Sequence, residues 1–202
     1  LNQLNKKKIV FNFRKNDILN GGQGAPLTPI FHKLICSKYK IEPPICFLNI
    51  GGISNITIIK GRDNLSDLFS KDIGPGNCLI DTWVRKNSNL KFDDNGKLAS
   101  QGKKNEIIFE QAQELYSNRI NRKKLSYDVN DFDISFSRGL SLEDGTATLT
   151  AFTSSIIAES LSEELSKHVS IKEILICGGG RKNQILVEAI KNDLNSKIQL
   201  KK

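Results

Sequence analysis

Methionine is absent from this chain of 202 residues, which begins with Leu1. Because a complete and unprocessed translation product starts with Met, we expect an internal piece of a longer protein, or a processed one. Apolar runs of about 18 residues, the length that a membrane-spanning helix needs, are also absent, and no signal-peptide pattern is visible. The sequence therefore predicts neither a membrane protein nor a visibly secreted one, and the cytoplasm is the default location.

Metal-ligand spacing is missing from the cysteines, which lie far apart, each within or beside an apolar run. They are Cys36, Cys46, Cys78 and Cys177. This pattern is typical of buried free thiols in a reducing compartment. Residues 92–96, FDDNG, superficially resemble a calcium loop, but they lack the ligand at the twelfth position and the alternating acids, so we expect no metal site there.

The net charge of +8 comes from lysine far more than from arginine. Lysine occurs with abundant Asn and Ile, as an AT-rich coding sequence would produce, and no basic stripe is interleaved with aromatic residues. The charge alone is therefore a weak indication of nucleic-acid binding. A basic protein associated with RNA or DNA stays a third alternative, which salt-sensitive retention on nucleic acid would reveal.

Glycine turns between apolar runs are the central feature of the chain, in residues 47–83. Residues 45–50 and 54–60 have the pattern of strands, so the sequence predicts a β-hairpin with Gly51 and Gly52 at its tip. Ser54 and Asn55 follow the glycines, where their side chains could join the backbone amides in binding an anion.

A second glycine turn, DIGPGN, starts at Asp72 and leads into the helical run CLIDTWVRK. Asn77 suits the N-cap position of this helix, where its side chain would satisfy a backbone donor. Asp81 follows four residues later, on the same helix face one turn further along. Asp72 and Asp81 are therefore expected to face one cleft.

The segment before the hairpin contains the loop GGQGAPLTP, residues 21–29, between a predicted strand at residues 9–13 and a predicted helix at residues 29–39. Its glycines permit unusual backbone angles, and its prolines stiffen the exit. The loop could present backbone N–H groups and the Gln23 amide to a ligand, or it could be only a tight connection. His32, in the helix, is interpreted as a packed or capping histidine rather than a catalytic base.

The C-terminal part combines a long helix with a third glycine turn. Ser141 opens a capping box, and apolar residues at helical spacing continue to about Lys167. Residues 173–177 indicate a buried strand, followed by glycines at 178–180 and a helix at about 183–194. A nucleotide can lie against the backbone and helix N-terminus of such a unit. A dinucleotide site is rejected, because the glycine spacing and the following acidic residue that it needs are missing.

Six segments of the chain occur in an order that is specific to one family. They are GGQGAPLTPIFH, FLNIGGISNIT, DIGPGNCLIDTW, FDDNGKLASQGK, GLSLEDGTATLTAFT and ICGGGRKN. In this order they resemble anhydro-N-acetylmuramic acid kinase, from about Asn12 to Leu194. One glycine loop is easily matched by chance, whereas six segments in order are not.

The resemblance implies an α/β fold of the ribonuclease H-like, actin and hexokinase type, truncated at both ends. We expect residues 1–44 to be the remainder of an N-terminal domain and residues 45–202 to be the C-terminal domain, with ATP and sugar between the two domains. The implied reaction uses ATP, Mg²⁺ and water to open the 1,6-anhydro ring of 1,6-anhydro-N-acetylmuramic acid and to phosphorylate O6. The implied product is N-acetylmuramic acid 6-phosphate, in peptidoglycan recycling, and a homodimer is compatible with the resemblance.

The resemblance also carries roles to individual residues. It makes Asp72 the general base for the attacking water, with Asp81 as the reserve candidate. The residues expected around the phosphates and the adenosine are Gly51, Gly52, Asn55, Gly178, Gly179 and Gly180. Those expected in the substrate cleft are Gln23, Gly24, Gly74 and Asn77.

The chain departs from the family pattern in several places. No Gly-Thr-Ser-x-Asp-Gly loop precedes Gly21, and a C-terminal segment with a functionally important Glu is missing. Where relatives tend to carry Lys-Ser followed shortly by an Arg, this chain has Leu125-Ser126 and Val129, which predicts the loss of a basic contact. Lys124 could substitute only by a shift of one residue. Two interpretations follow: a kinase represented by an internal portion, with another amino sugar as a near rival substrate, or a truncated or degraded relative that at most binds sugar or nucleotide.

Overall fold

A five-stranded mixed sheet forms the centre of the protein. The computed structural model describes residues 6, 8–22, 24–62, 64–119, 126–168, 170–194 and 198–201. The strands are β1 (Ile45–Ile50), β2 (Ile53–Ile59), β3 (Leu68–Pro75), β4 (Glu173–Cys177) and β5 (Gln199–Lys201). Their order is β3-β2-β1-β4-β5. β2 is antiparallel to both β1 and β3, whereas β4 is parallel to β1 and to β5.

Helices cover both faces of this sheet, which confirms the predicted α/β class. They are α1 (Phe13–Leu19), α2 (Pro29–Tyr39), α3 (Cys78–Asn87), α4 (Lys97–Gln101), α5 (Glu106–Arg119), α6 (Leu142–Ser166) and α7 (Gln184–Asp193). No helix of the described part of the chain combines the length and the apolar character that crossing a membrane requires.

The alternation of side chains along the strands builds a core on each face of the sheet. On one face, Leu48 and Ile50 of β1 pack in the larger core with α3, α6 and α7. On the other face, Ile45 and Phe47 of the same strand pack with Cys36 of α2. The sheet is thus buried on both sides, and the ends of its strands are where backbone and polar groups can meet a ligand.

The predicted hairpin and the predicted long helix are both confirmed. Ile50 pairs with Ser54, so Gly51 and Gly52 lie at the hairpin tip. α6 begins directly after Ser141, whose hydroxyl accepts a hydrogen bond from the backbone N of Asp144 at 3.0 Å. These features depend on short-range turn and capping chemistry, which sequence patterns capture well.

His32 is a packed residue, as interpreted from the sequence. Its ring stacks on Phe47 with the centroids 4.6 Å apart, and its Nδ1 lies 2.9 Å from the hydroxyl of Thr57. Burial lowers the pKa of this imidazole. His32 therefore joins α2 to the sheet instead of facing a reaction centre.

The strand predicted at residues 9–13 is wrong. Residues 8–12 belong to no strand, and the helix α1 begins at Phe13. No strand among the described residues pairs with this short apolar run, and none of the α1 residues is buried. The domain boundary expected between residues 44 and 45 stays a prediction.

Candidate functional site

Three glycine turns meet at one edge of the sheet. Because β1, β3 and β4 run in the same direction, their carboxyl ends lie together, and glycine follows each strand directly. Gly51 and Gly52 follow β1, Gly76 follows β3, which contains Gly74, and residues 178–180 follow β4. Ligands of open α/β sheets bind outside the carboxyl ends of strands, so this edge is the candidate site.

Backbone hydrogen bonds join the first two turns directly. The amides of Gly76 and Cys78 donate to the carbonyl of Gly52 at 2.9 and 3.1 Å, and the amide of Asn77 donates to the carbonyl of Gly51 at 2.7 Å. Both carbonyls of the hairpin tip thus point inward, toward the start of α3. These bonds fix the hairpin tip relative to the start of that helix.

Asn77 does not act as predicted. It occupies the N-cap position of α3, but its side chain makes no capping hydrogen bond. The side-chain Nδ2 instead donates to the carbonyls of Gly51 at 3.0 Å and Ile50 at 3.3 Å. The Asn77 side chain therefore links the start of α3 to the hairpin tip. The sequence alone could not identify these partners, because they lie on another segment of the chain.

The third glycine turn approaches β1 too closely for side chains. A Cβ on Gly178, which has a φ of +82°, would lie 2.5 Å from the carbonyl oxygen of Ile50 and from Oδ1 of Asn49. A Cβ on Gly180 would lie 2.3 Å from Cγ2 of Ile50. The backbone of this turn therefore rests directly against the end of β1.

Asp72 lies on β3 and is buried, with 6% of its surface exposed. Its Oδ2 accepts a hydrogen bond from the backbone N of Tyr127 at 2.8 Å. Burial raises the pKa of the Asp72 carboxyl above its usual range, while the Tyr127 amide, the Ser126 side chain and the charge of Arg14 act in the opposite direction. A buried carboxylate held in this way beside a cavity suits proton transfer.

Asp81 lies in a different cavity, which corrects the expectation that both carboxylates face one cleft. Asp72 lines a small cavity of about 30 Å³ with Tyr116 and Tyr127. Asp81 lines one of about 330 Å³ with Gly179 and residues 92–95. The turn between β3 and α3 separates the two side chains, because Asp72 precedes that turn and Asp81 follows it.

The larger cavity combines apolar and polar groups at the candidate site. Its lining residues besides Asp81 and Gly179 are Asn77, Ile80, Phe92, Asp93, Asp94, Asn95, Lys182 and Asn183. Burial raises the pKa of the Asp81 carboxyl; Arg85, with Nη1 3.8 Å from Oδ2 of Asp81, lowers it, and the charge of Asp93 raises it. Apolar walls with a few polar groups are typical of small-molecule sites.

Two polar side chains behind the hairpin tip have a buried oxygen atom. Ser54 is fully buried, and neither its hydroxyl nor Oδ1 of Asn55 has a hydrogen-bond partner among the described residues. Ser54 therefore does not reach the surface of the tip in this structure, whereas Asn55 is half-buried. The predicted role of these side chains in binding an anion stays a prediction.

The loop assigned to the substrate cleft packs against α1. The amide of Gly24 donates to Oδ2 of Asp17 at 2.6 Å, and Gln23 lies outside the described residues. Arg14 of the same helix is near enough for its charge to lower the pKa of Asp72. The loop is thus connected through α1 to the neighbourhood of Asp72.

The sequence marked the segment that contacts Asp72 only as a departure from the family pattern, and it indicated no role for Ser126 or Tyr127. Ser126 and Tyr127 stand in a polar, irregular region without periodicity, and Leu125 before them lies outside the described residues. Lys182 and Phe92, which line the larger cavity, lie in two of the six family segments, but the sequence indicated no role for them. Asp93, in the apparent calcium loop, accepts hydrogen bonds from the amides of α4 residues at 2.8 and 3.2 Å, so its carboxylate caps a helix.

Comparisons with known proteins identify relatives of this chain. A family model described as "Anhydro-N-acetylmuramic acid kinase" matches residues 2–202. A protein with that name from Pelagibacter ubique (strain HTCC1062) is 52% identical over 202 residues, which are 100% of this chain and 54% of that protein. Another, from Zymomonas mobilis, is 38% identical over 203 residues, 98% of this chain and 52% of that protein. The chain therefore spans about half the length of these curated relatives.

One solved structure resembles the fold more distantly. It is the "Activator of the 2-Hydroxyisocaproyl-CoA Dehydratase from Clostridium difficile with bound ADPNP", at a TM-score of 0.47 and 13% identity. The match covers 80% of this chain and 55% of that one. A likeness of this degree carries no functional argument.

Proposed function

Because this chain belongs to the anhydro-N-acetylmuramic acid kinase family, we propose that the full-length protein containing it phosphorylates 1,6-anhydro-N-acetylmuramic acid with ATP. Water would open the 1,6-anhydro ring, and O6 would receive the γ-phosphoryl group. The observation that carries the proposal is the meeting of three glycine turns at one sheet edge, beside β3 with its buried Asp72. The reaction requires a site that binds the ATP phosphates and a group that accepts a proton from water.

Asp72 would be the general base. Water adds its oxygen to the anomeric carbon, its proton passes to the Asp72 carboxylate, and the bond from that carbon to O6 breaks. O6 then attacks the γ-phosphorus of ATP, and ADP leaves. The contacts from Ser126 and Tyr127 support this role, because they hold the carboxylate in a fixed orientation.

The glycine turns would hold the nucleotide. Gly51, Gly52 and Asn55 would contact the transferred phosphoryl group, and residues 178–180 would lie beside the adenosine or the α-phosphate. The backbone of the third turn can approach a ligand closely because it carries no side chains, and Gly179 lines the cavity of about 330 Å³. Asp81 lines this same cavity, so we assign it to the nucleotide side and not to the base.

Mg²⁺ would arrive with the nucleotide. Among the described residues, no three or more His, Cys, Asp or Glu side chains are grouped to hold a metal ion. Mg²⁺ in phosphoryl-transfer sites is commonly held by one or two carboxylates together with substrate phosphates and water. Such an ion would neutralise the phosphate charge that develops during transfer.

The substrate also fits the wider proposal. Gly74 and Asn77 frame the turn that follows Asp72, and Gly24 belongs to the loop on α1, so these residues would surround the sugar. Asn77 would lie between the sugar and the nucleotide, because it also lines the larger cavity. The product, N-acetylmuramic acid 6-phosphate, would return cell-wall sugar to metabolism in the cytoplasm. We keep the homodimer as an expectation of the family resemblance.

The experiment compares full-length wild-type protein with Asp72→Asn and Asp133→Asn, in a coupled assay of ATP-dependent phosphorylation of 1,6-anhydro-N-acetylmuramic acid. Asp133 is exposed and serves as the matched control. We expect Asp72→Asn to lower kcat by about 10² to 10⁴-fold, the usual contribution of a general base, with nucleotide binding retained. Near wild-type turnover would remove Asp72 from this role. Wild-type protein that binds ATP without turnover would favour a non-catalytic relative.

A further inference from the structure

Asp72 is contacted by a segment more than fifty residues away in the sequence. The backbone N of Tyr127 lies 2.8 Å from Oδ2 of Asp72, a separation of 55 positions along the chain. The Ser126 side chain also hydrogen-bonds to this carboxylate. Consecutive residues thus supply one backbone donor and one hydroxyl donor to the same carboxyl group.

Local hydrogen bonds hold this segment in shape. Asp128 and Asp131 form a capping box, in which the amide of Asp128 donates to Oδ2 of Asp131 at 2.7 Å. The amide of Asn130 donates to Oδ1 of Asp128 at 3.0 Å. The turn that begins one residue after Tyr127 is therefore closed at its start, and the direction of the Tyr127 amide is fixed with it.

Aromatic contacts attach the same segment to the helices. The rings of Tyr127 and Phe132 lie 5.6 Å apart, and Phe132 lies 6.2 Å from Tyr116 of α5. Tyr116 makes an edge contact with Phe152 of α6 at 5.8 Å. Through this chain of rings, the donors to Asp72 rest on α5 and α6 and do not depend on an isolated loop.

We propose that Ser126 and the backbone N–H of Tyr127 are positioning groups for the Asp72 base. By binding the carboxylate, they set the direction from which it takes the proton of the attacking water. The proposal rests on the proposed function, since it requires Asp72 to be the base. A hydroxyl and an amide suit this role because they stabilise the charged carboxylate without offering a competing proton acceptor of similar strength.

Other titratable groups also surround Asp72. On the described elements that pack against it they are Arg14, Lys71, Tyr116, Tyr127, Glu159 and Glu163. The ammonium of Lys71 makes an ion pair with Glu164. A change confined to Ser126 leaves all of these groups in place, so a shift in the pH profile can be assigned to the lost hydroxyl.

The test uses the full-length protein and the variants Ser126→Ala, Ser126→Thr and Ser135→Ala. Ser135 lies in the same region, but its hydroxyl bonds to Asp133, so its variant is the matched control. For each variant we would measure kcat and kcat/KM against pH, KM for ATP, and Tm. A merely structural role of Ser126 would lower Tm without moving the pH profile.

The hydroxyl of Ser126 favours the charged form of Asp72, so its removal raises the pKa of the base. Protonated Asp72 is inactive, and the acid limb of the Ser126→Ala profile is therefore expected at higher pH. We also expect kcat to fall about tenfold through loss of orientation, KM for ATP to stay unchanged, and Ser126→Thr to restore the wild-type limb. An acid limb that does not move in folded Ser126→Ala protein overturns the proposal, provided that Asp72→Asn is inactive. If Asp72→Asn is active, the base assignment itself has failed.

Discussion

Asn77 donates two hydrogen bonds to the same carbonyl oxygen of Gly51, from its backbone N at 2.7 Å and from its side-chain Nδ2 at 3.0 Å. The start of α3 is thereby fixed to the tip of the β1–β2 hairpin. Since the hairpin tip and the helix start belong to different glycine turns of the candidate site, this pair of residues determines the spacing between them.

Asn77→Ala removes the side-chain donor while the backbone bond to Gly51 remains. We expect a loss of about 1 kcal/mol in the free energy of unfolding, the net value of such a bond, and weaker nucleotide binding because the hairpin tip is less well fixed. Urea denaturation and ATP titration would measure these effects. Asn87→Ala is the control, because the Asn87 side chain bonds to the carbonyl of Trp83 at the other end of α3. Equal nucleotide affinity in both variants would contradict the expectation.

Neighbouring glycines of the third turn should respond differently to alanine. A Cβ on Gly180 would lie 2.3 Å from Cγ2 of Ile50, whereas a Cβ on Gly179 would meet nothing closer than Nδ2 of Asn77 at 3.9 Å. Gly180→Ala is expected to destabilise the protein by about 1–3 kcal/mol through overpacking, and Gly179→Ala is expected to keep Tm near the wild-type value. Thermal unfolding of both variants checks the prediction, which fails if their Tm values are equal.

Kinetic constants of Asp81→Asn and Asp72→Asn should distinguish the roles of the two carboxylates. Because Asp81 lines the larger cavity with Gly179 and Lys182, we expect its variant to raise KM for ATP several-fold, with kcat little changed. Asp72→Asn should show the reverse, a large loss of kcat with KM for ATP retained. Steady-state kinetics of the full-length variants would measure both constants. A fall in kcat for Asp81→Asn at unchanged KM would return Asp81 to consideration as the base.

Glu164 should make stability depend on pH. It is 3% exposed and lies 2.5 Å from Nζ of Lys71 and 3.0 Å from Nζ of Lys167. Burial alone would raise the pKa of its carboxyl, but the hydrogen bonds from Lys71 and Lys167 lower it below the ordinary value of 4.5. A lowered folded-state pKa stabilises the protein above pH 4.5, and this stabilisation is lost as the pH falls through the folded-state value.

Glu164→Gln is therefore expected to be less stable than wild type by about 1–3 kcal/mol at pH 7. The difference should shrink as the pH is lowered from 4.5. Urea denaturation at several pH values would measure it. Glu163→Gln is the control, since Glu163 is exposed and its pair with Lys167 at 3.3 Å should contribute less than about 1 kcal/mol. A Glu164→Gln difference that stays constant with pH would contradict the assigned linkage.

Much of the fold was predictable because it depends on neighbouring residues. The alternation in residues 45–50 and 54–60 with glycines between them predicted the hairpin, and Ser141 predicted the start of α6. The run at residues 9–13 was wrongly predicted as a strand, because strand propensity means little where none of the described strands pairs with the run. The order of the six family segments also predicted the family, since these segments are spread over nearly the whole chain.

The candidate site was predictable only in part. Local sequence patterns indicated the glycine turns and Asp72. They did not indicate how far these groups lie from one another in the folded protein. Ser126 stood out only beside a departure from the family pattern, and the contacts of Ser126 and Tyr127 with Asp72 were not predicted, since a donor to a distant carboxylate leaves no periodicity of its own. The prediction that Asp81 faces the same cleft as Asp72 was wrong. It rested on the position of Asp81 on one face of α3, and that position does not show which cavity the side chain lines.

The sequence by itself determined where strands, caps and glycine turns occur, since these follow from backbone sterics and hydrogen bonds over a few residues. Only the tertiary structure decided which groups meet. It turned the Asn77 side chain from the helix cap to the carbonyl of Gly51, brought Tyr127 to Asp72, and separated Asp72 from Asp81. The physical reason is that a buried polar group takes the partner that packing brings within reach, and packing joins residues that are far apart along the chain.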